Sequence, residues 1–179
     1  GLIVTAPLVP LIALAIKLTS RGPALYSQER VGRFGDLFNM YKFRTMRVDA
    51  ESGGPVWSAG EEDPRLTPIG RLLRRSHLDE LPQLFNVLAG HMSLVGPRPE
   101  RPHFVHTLHG AIPSYDQRLL LKPGITGLAQ VHYRYDTSLA DVRRKLRYDL
   151  LYIKRMCLTL DIKILAWTLL VVATGRGIR

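Results

Sequence analysis

Cysteine is nearly absent: Cys157 is the only one in 179 residues. No internal disulfide is possible, a disulfide scaffold is excluded, and a reducing, cytosol-facing location fits. Acidic residues are scarce as well, with 15 Asp+Glu against 25 Lys+Arg and a formal net charge of +10. That surplus suits an anionic partner, and nucleic acid, anionic lipid and phosphorylated small molecules all meet the requirement. The sequence also lacks GxGxxG, a Walker-type GxxxxGK and GxSxG, so dinucleotide-dependent dehydrogenase, P-loop NTPase and α/β-hydrolase readings have no motif behind them. Among the histidines His77, His91, His103, His106, His109 and His132, His103 and His106 have an i, i+3 spacing. With no HExxH and no cysteine partner, a zinc site is not expected. There is no internal repeat and no low-complexity tract.

What is present is the balance of a folded chain. Hydrophobic residues make up 46% and charged residues 22%, which supplies a core, and the length suits one domain. The chain opens on Gly1 rather than Met, which suggests a fragment or a processed chain. From Leu2 to Leu18 the run LIVTAPLVPLIALAIKL is apolar except for Thr5 and Lys17. It is shorter than the roughly 20 residues of a membrane span, and Pro7 predicts a break or sharp kink. Three readings stay open: the C-terminal part of a broken, re-entrant membrane helix, the tail of a true span, or a buried core helix. A secretory signal peptide lacks its basic start and its cleavage pattern.

Ala24–Val31 and Leu37–Met46 are rich in strand formers and are separated by Gly32-Arg33-Phe34-Gly35-Asp36, the pattern of a β-hairpin. Asp49 to Asp63 lacks periodicity and reads as a mobile surface loop. Thr67-Pro68 looks like an N-cap with proline at the first helical position, opening a short helix through Arg75. Asp79 is a suitable N-cap for a second helix, with Pro82 in its first turn, Leu81, Leu84, Phe85 and Leu88 on one face, and Gly90 to close it. Gly96–Pro102 and Lys122–Gly127 read as fixed turns. Leu139 to Thr174 reads as two helices, the first basic and the second apolar with Lys163 near its start.

The most informative constellation is Asp79-Glu80 at a helix start, preceded by Arg71, Arg74 and Arg75. Helix N-termini stabilise carboxylates and attract phosphate, so an ionised aspartate there can act as a nucleophile. An adjacent carboxylate suits Mg²⁺, which takes one or two carboxylates plus substrate phosphates. The plainer alternative is an N-cap followed by an acidic first-turn residue, and the dyad alone favours it. Arg98 lies between Pro97 and Pro99, whose fixed φ angles hold its backbone ready to present a guanidinium to a phosphate or nucleobase edge. It can equally pair with Glu100. Gly124 and Gly127 allow backbone N–H groups near an anion, or simply form turns.

Taken together, Gln28-Glu29-Arg30, YKFRTM from Tyr41 to Met46, LDELPQLFNVLAGHMSLVGPRP from Leu78 to Pro99, KPGITGLAQV from Lys122 to Val131 and LDIKI from Leu160 to Ile164 resemble the bacterial sugar transferase family. These are the monotopic phosphoglycosyl transferases that act on polyprenol phosphate, and the resemblance runs in order over almost the whole chain. It implies that Asp79 is a nucleophile that attacks the sugar-bearing phosphorus of a nucleoside diphosphate sugar, in all expectation a UDP-sugar, to form a covalent phosphosugar ester. Undecaprenyl phosphate then takes the sugar phosphate, the initiating step of surface glycan or exopolysaccharide synthesis. It implies further that Glu80 is the Mg²⁺ ligand, that Arg74 contacts phosphate, that Arg98 lies near the nucleotide, and that Lys42 and Arg44 belong to a basic substrate-binding motif. The family enters the bilayer through a helix broken at a small residue followed by proline. Ala6-Pro7 matches that point, although the family often has serine where this chain has Ala6.

The expectation is thus an α+β fold, mostly helical with one hairpin. Residues 1–18 form the C-terminal part of a re-entrant membrane helix, and residues 19–179 form a catalytic domain on the cytoplasmic face of a bacterial inner membrane. The implied partners are a nucleotide-sugar donor, a polyprenol phosphate acceptor, membrane lipid and, in a homo-oligomer, a second copy of the chain; nucleic acid is not expected. Two other classes compete. One is a basic module for anionic lipid or nucleic acid built on Arg143, Arg144, Lys145 and Arg147, and the other is a Mg²⁺-dependent diphosphate hydrolase that needs no lipid acceptor.

Overall fold

Pro7, with φ −65° and ψ −25°, leads directly into helix α1, Leu8–Thr19. Pro10 falls in the first turn of α1, where its missing N–H has no intrahelical carbonyl to meet. The structure, a computed structural model, describes residues 7–53, 63–133 and 138–174. The helix therefore begins directly after Pro7, and the residues before it, on which the expected break or kink depends, lie outside the described set. Among the described residues, no helix is long and apolar enough to cross a membrane.

The chain forms two compact units, Gly1–Gln28 with Met40–Asn86 and Glu29–Asn39 with Val87–Arg179. Strands β1, Leu25–Val31, and β2, Leu37–Phe43, pair with each other and contribute residues to both units. Between them Arg33–Gly35 makes a 3₁₀ turn, closed by the Gly32 N–H on the Asp36 carbonyl at 2.7 Å. The hairpin matches its sequence signature.

In the first unit Ile16, Phe43 and Leu73 form the core, joined by Ile12, Ala13, Ile69, Leu78 and Leu81. Helix α1 is apolar apart from Lys17 and Thr19 and buries only Ile16, leaving Leu11, Leu14 and Leu18 exposed at spacings of three and four residues. Helix α2, Pro68–Arg75, starts as its sequence dictates, with Thr67 Oγ1 accepting from the Gly70 N–H at 3.0 Å and proline at N1. Gly70 packs against the Thr45 backbone so closely that a side chain would overlap it. The segment at 49–63 departs from the expected mobile loop at its end: Asp63 is fully buried and accepts from Arg65 Nε and Nη2 at 2.8 and 2.7 Å. Residues 54–62 of that segment lie outside the described set.

The helix expected from Asp79 is different in the structure. Leu78–Glu80 forms a 3₁₀ turn, and the following helix α3 covers only Gln83–Leu88. Asp79 is therefore not an N-cap. The expected apolar face is kept only at its start, with Leu81 on the core and Leu84 half-buried, whereas Phe85 and Leu88 are exposed and Gln83 and Asn86 are buried. The reason is a tertiary hydrogen bond: Asn86 Oδ1 accepts the Tyr41 N–H of β2 at 3.1 Å, so the amide face points inward. Gly90, with φ +80°, follows the helix in the expected closing position.

In the second unit, short strands β3, Ser93–Val95, and β4, Gly124–Thr126, pair in parallel with Ser93 opposite Gly124 and Val95 opposite Thr126. Lys122–Gly127 is thus partly a strand rather than a turn alone. The crossover between β3 and β4 carries helix α4, Pro102–Ala111, and a 3₁₀ stretch, Tyr115–Leu120. Gly124 lies so close to the backbone of Val95 and Gly96 that no Cβ fits there. Helix α5, Leu128–His132, leads to α6, Leu139–Arg155, capped by Ser138, and α7, Leu158–Thr174. Val95, Leu128, Val131, Tyr152, Ile164 and Val171 form one core, and Leu108, Ile112, Tyr115, Val142 and Leu146 a second.

Candidate functional site

Helix α2 ends at Arg75, and two residues later His77 adopts the left-handed conformation, φ 57° and ψ 14°. A non-glycine residue there is uncommon and is held by its surroundings. The reversal lets Leu78 and Leu81 enter the core beside Ile16, Phe43 and Leu73. Asp79 and Glu80 are pinned between these two anchors. Asp79 is buried, with 6% of its surface exposed. Glu80 Oε1 accepts a hydrogen bond from Lys42 Nζ at 2.8 Å, and both side chains are largely shielded from solvent. A charge-assisted bond in that setting fixes the carboxylate rather than merely neutralising it.

The end of β2 serves as a hub. Lys42 holds Glu80, and the Thr45 hydroxyl accepts from Arg74 Nε at 3.1 Å, which ties the last turn of α2 to the strand. Arg44, expected among the substrate-binding residues, is buried, and its described bonds go to the chain itself. Its Nη2 donates to Ser20 O at 3.1 Å and Ser20 Oγ at 2.9 Å, and its Nη1 donates to Arg21 O. These carbonyls immediately follow α1, so Arg44 secures the end of the apolar helix. Asp79, Glu80, Lys42, Arg44 and Arg74 all belong to the first unit, whereas Arg98 belongs to the second.

Arg98 is half-buried on a loop whose backbone is closely tied. The Pro97 carbonyl accepts from the Gly124 N–H at 2.9 Å, Arg98 O from Arg118 Nη2 at 2.9 Å, Pro99 O from Arg30 Nη1 at 3.1 Å, and Glu100 O from the Val31 N–H at 2.9 Å. Arg118 is itself buried and bonded to Asp149 Oδ2 through Nε and Nη2, at 3.1 and 2.9 Å, and to the Tyr115 hydroxyl at 2.8 Å. Burial works against the guanidinium charge, but Asp149, Tyr115 and Glu100 outweigh it and hold the Arg118 pKa above its ordinary value. Burial also pushes the Tyr115 phenol up to about 12, against the pull of the Arg118 charge. Sequence reasoning missed Arg118, Asp149 and Tyr115, because residues paired across 31 positions leave no local pattern.

On α6, Arg143, Arg144 and Arg147 are exposed while Lys145 is half-buried. Arg144 lies over the Tyr133 ring at 5.5 Å and Arg143 Nη2 reaches the Ala111 carbonyl at 3.4 Å, so this basic set is partly engaged with the fold.

Among the described residues, no group of three or more His, Cys, Asp or Glu side chains is gathered as a metal cage. Glu80 nonetheless offers an oxygen donor of the type Mg²⁺ takes, one or two carboxylates being what it uses when substrate phosphates and water complete its shell. The donor fits that ion. With the ion bound there, a nucleophilic carboxylate and an anionic diphosphate would repel each other less.

The family model described as "Bacterial sugar transferase" matches residues 1–175. The chain is 43% identical over 174 residues to the UDP-N-acetylgalactosamine-undecaprenyl-phosphate N-acetylgalactosaminephosphotransferase of Aeromonas hydrophila, covering 97% of this chain and 41% of that protein. It is 46% identical over 164 residues to the UDP-glucose:undecaprenyl-phosphate glucose-1-phosphate transferase of Xanthomonas campestris pv. campestris, covering 90% and 34%. To the exopolysaccharide production protein PSS of Rhizobium leguminosarum bv. phaseoli it is 41% identical over 186 aligned positions, covering 99% and 92%. The chain therefore spans less than half the length of the first two relatives and nearly all of the third.

Proposed function

The chain belongs to the bacterial sugar transferase family, and on that premise we propose that it transfers a sugar 1-phosphate from a UDP-sugar to undecaprenyl phosphate through a covalent intermediate on Asp79. An Asp79 carboxylate oxygen attacks the phosphorus that bears the sugar. The new O–P bond replaces the bond to the bridging oxygen, and UMP leaves with that electron pair. An oxygen of undecaprenyl phosphate then attacks the same phosphorus, the aspartyl O–P bond breaks, and the carboxylate is restored as the diphosphate-linked lipid departs. Two in-line displacements of this kind ask the protein chiefly for positioning and for compensation of negative charge.

The observation that carries this reading is the turn at 78–81. It places a buried Asp79 next to a Glu80 fixed by Lys42 at 2.8 Å, on a backbone pinned by Leu78 and Leu81. Glu80 is where Mg²⁺ would be held. Arg74, steadied by Thr45, contacts donor phosphate, and for Arg98, on the second unit, the family resemblance implies a contact with the nucleotide. Arg44 acts at one remove, by holding the end of α1. That helix packs on the same core as the turn carrying the dyad while Leu11, Leu14 and Leu18 face outward, an arrangement suited to a lipid-facing helix beside a site whose acceptor is a lipid.

Intact mass spectrometry after incubation with a UDP-sugar panel, Mg²⁺ and no acceptor tests the reading. A gain equal to one sugar phosphate is expected, with one equivalent of UMP released, lost in the Asp79→Asn variant and discharged by undecaprenyl phosphate. Full transfer by Asp79→Asn, with no adduct in the wild type, would overturn it.

A further inference from the structure

The loop that carries Arg98 has two prolines, so residues 97 and 99 have no N–H to donate, and its carbonyls must fix it instead. All four carbonyls from Pro97 to Glu100 accept a hydrogen bond, two of them from buried or half-buried arginine side chains. Arg118 enters from the 3₁₀ stretch and Arg30 from β1. Arg118 is locked by Asp149 of α6 and by Tyr115, and Glu100 Oε2 stands 3.7 Å from Arg30 Nη1. A buried ion pair is a poor source of stability, because desolvation consumes most of the attraction and apolar side chains do as well or better. What it supplies well is a fixed geometry.

We propose that Arg118 and Arg30 are positioning residues for Arg98, clamping the 97–100 backbone so that the Arg98 guanidinium meets the nucleoside diphosphate part of the donor without first being ordered. The inference rests on the reading that Arg98 contacts the donor, and it adds that donor affinity is set from the backbone side by the Arg118–Asp149 pair. A side chain leaving a fixed backbone loses less freedom on binding, so loosening the clamp weakens donor binding rather than chemistry. The Gln28-Glu29-Arg30 segment thereby gains a role through its last residue.

The test is a double-mutant cycle on the full chain in lipid nanodiscs with Mg²⁺, using UDP as the binding probe. Arg98→Ala and Arg118→Lys are each expected to weaken UDP binding about tenfold, and the double variant no more than Arg98→Ala alone. Arg30→Lys, which acts on the neighbouring carbonyl, is expected to show the same dependence on Arg98 and serves if Arg118→Lys fails to fold. In turnover, either lysine variant is expected to raise the donor KM with kcat changed less than twofold and the acceptor KM unmoved. Additive losses in the cycle, or a fall in kcat at constant KM, would overturn the clamp. If Arg98→Ala binds UDP normally while Asp79→Asn is inactive, the clamp proposal fails and the covalent mechanism stands. An active Asp79→Asn with intact coupling between Arg98 and Arg118 would reject the mechanism and leave the clamp.

Discussion

Lys42 Nζ donates to Glu80 Oε1 at 2.8 Å across 38 positions of sequence, which makes one strand residue the support for one member of the acidic pair. Partners that orient a metal-binding carboxylate commonly matter by about 10–100-fold in metal affinity or activity. Lys42→Ala is accordingly expected to lower transfer by about that factor and to raise the Mg²⁺ concentration for half-maximal rate, with Lys42→Arg recovering part of the loss. Unchanged rates and Mg²⁺ dependence in Lys42→Ala would separate this pair from the site.

The outward face of α1 gives a second expectation. Leu11, Leu14 and Leu18 are 62%, 56% and 78% exposed, so replacing them with glutamate leaves the core intact and costs stability within about 0.5 kcal/mol. If this face lies in lipid, each charge opposes insertion by up to about 2.5–3.5 kcal/mol, the cost at a bilayer centre. Flotation with anionic vesicles is the measurement: the triple variant should stay in the dense fraction while unfolding at the wild-type urea concentration. Equal flotation would remove α1 from the membrane account.

How much of this was legible in the sequence depended on how local each cause was. Thr67-Pro68 caps its helix with a bond three residues away, and the signature and the structure coincide. The helix expected from Asp79 failed because its pattern of Leu81, Leu84, Phe85 and Leu88 ignored what Asn86 does for Tyr41, a demand set 45 positions away. Strands β3 and β4, three residues each, are too short to show a period. Within the site, Asp79 and Glu80 are neighbours in sequence and therefore visible together. The destination of Arg44 at Ser20 and Arg21, like the bond from Arg118 to Asp149, needed the fold.

Gly70 tests whether the contact between α2 and Thr45 matters. In an exposed helix interior, alanine in place of glycine stabilises by about 1 kcal/mol. Here the added Cβ overlaps the Thr45 backbone, so the sign reverses and Gly70→Ala is expected to destabilise by about 1–3 kcal/mol, as overpacking does. Because Thr45 also accepts from Arg74 and its carbonyl from the Thr67 N–H, its displacement should lower activity as well. Urea unfolding together with initial rates checks both, and a stabilised variant would show that the contact yields freely.

Tyr115 supplies a pH dependence whose sign follows from burial. Its phenol is pushed up from 10.0 to about 12, first by loss of solvent and against the attraction of Arg118. Below pH 10 the phenol is neutral in both folded and unfolded chains, and the stability it contributes is fully present. Between 10 and 12 the unfolded chain releases this proton and the folded chain does not, so stability falls with rising pH, by ~3 kcal/mol once the folded pKa is passed. Tyr115→Phe removes the ionisable group while leaving the ring in the core beside Leu108 and Leu146. Urea midpoints measured from pH 9 to 12 should therefore decline less steeply in Tyr115→Phe than in the wild type, and ultraviolet titration should lose one late-ionising phenol. Parallel declines in the two proteins would mean that the hydroxyl ionises in the folded state as readily as in water, which a side chain 2% exposed and bonded to Arg118 Nη1 at 2.8 Å does not permit.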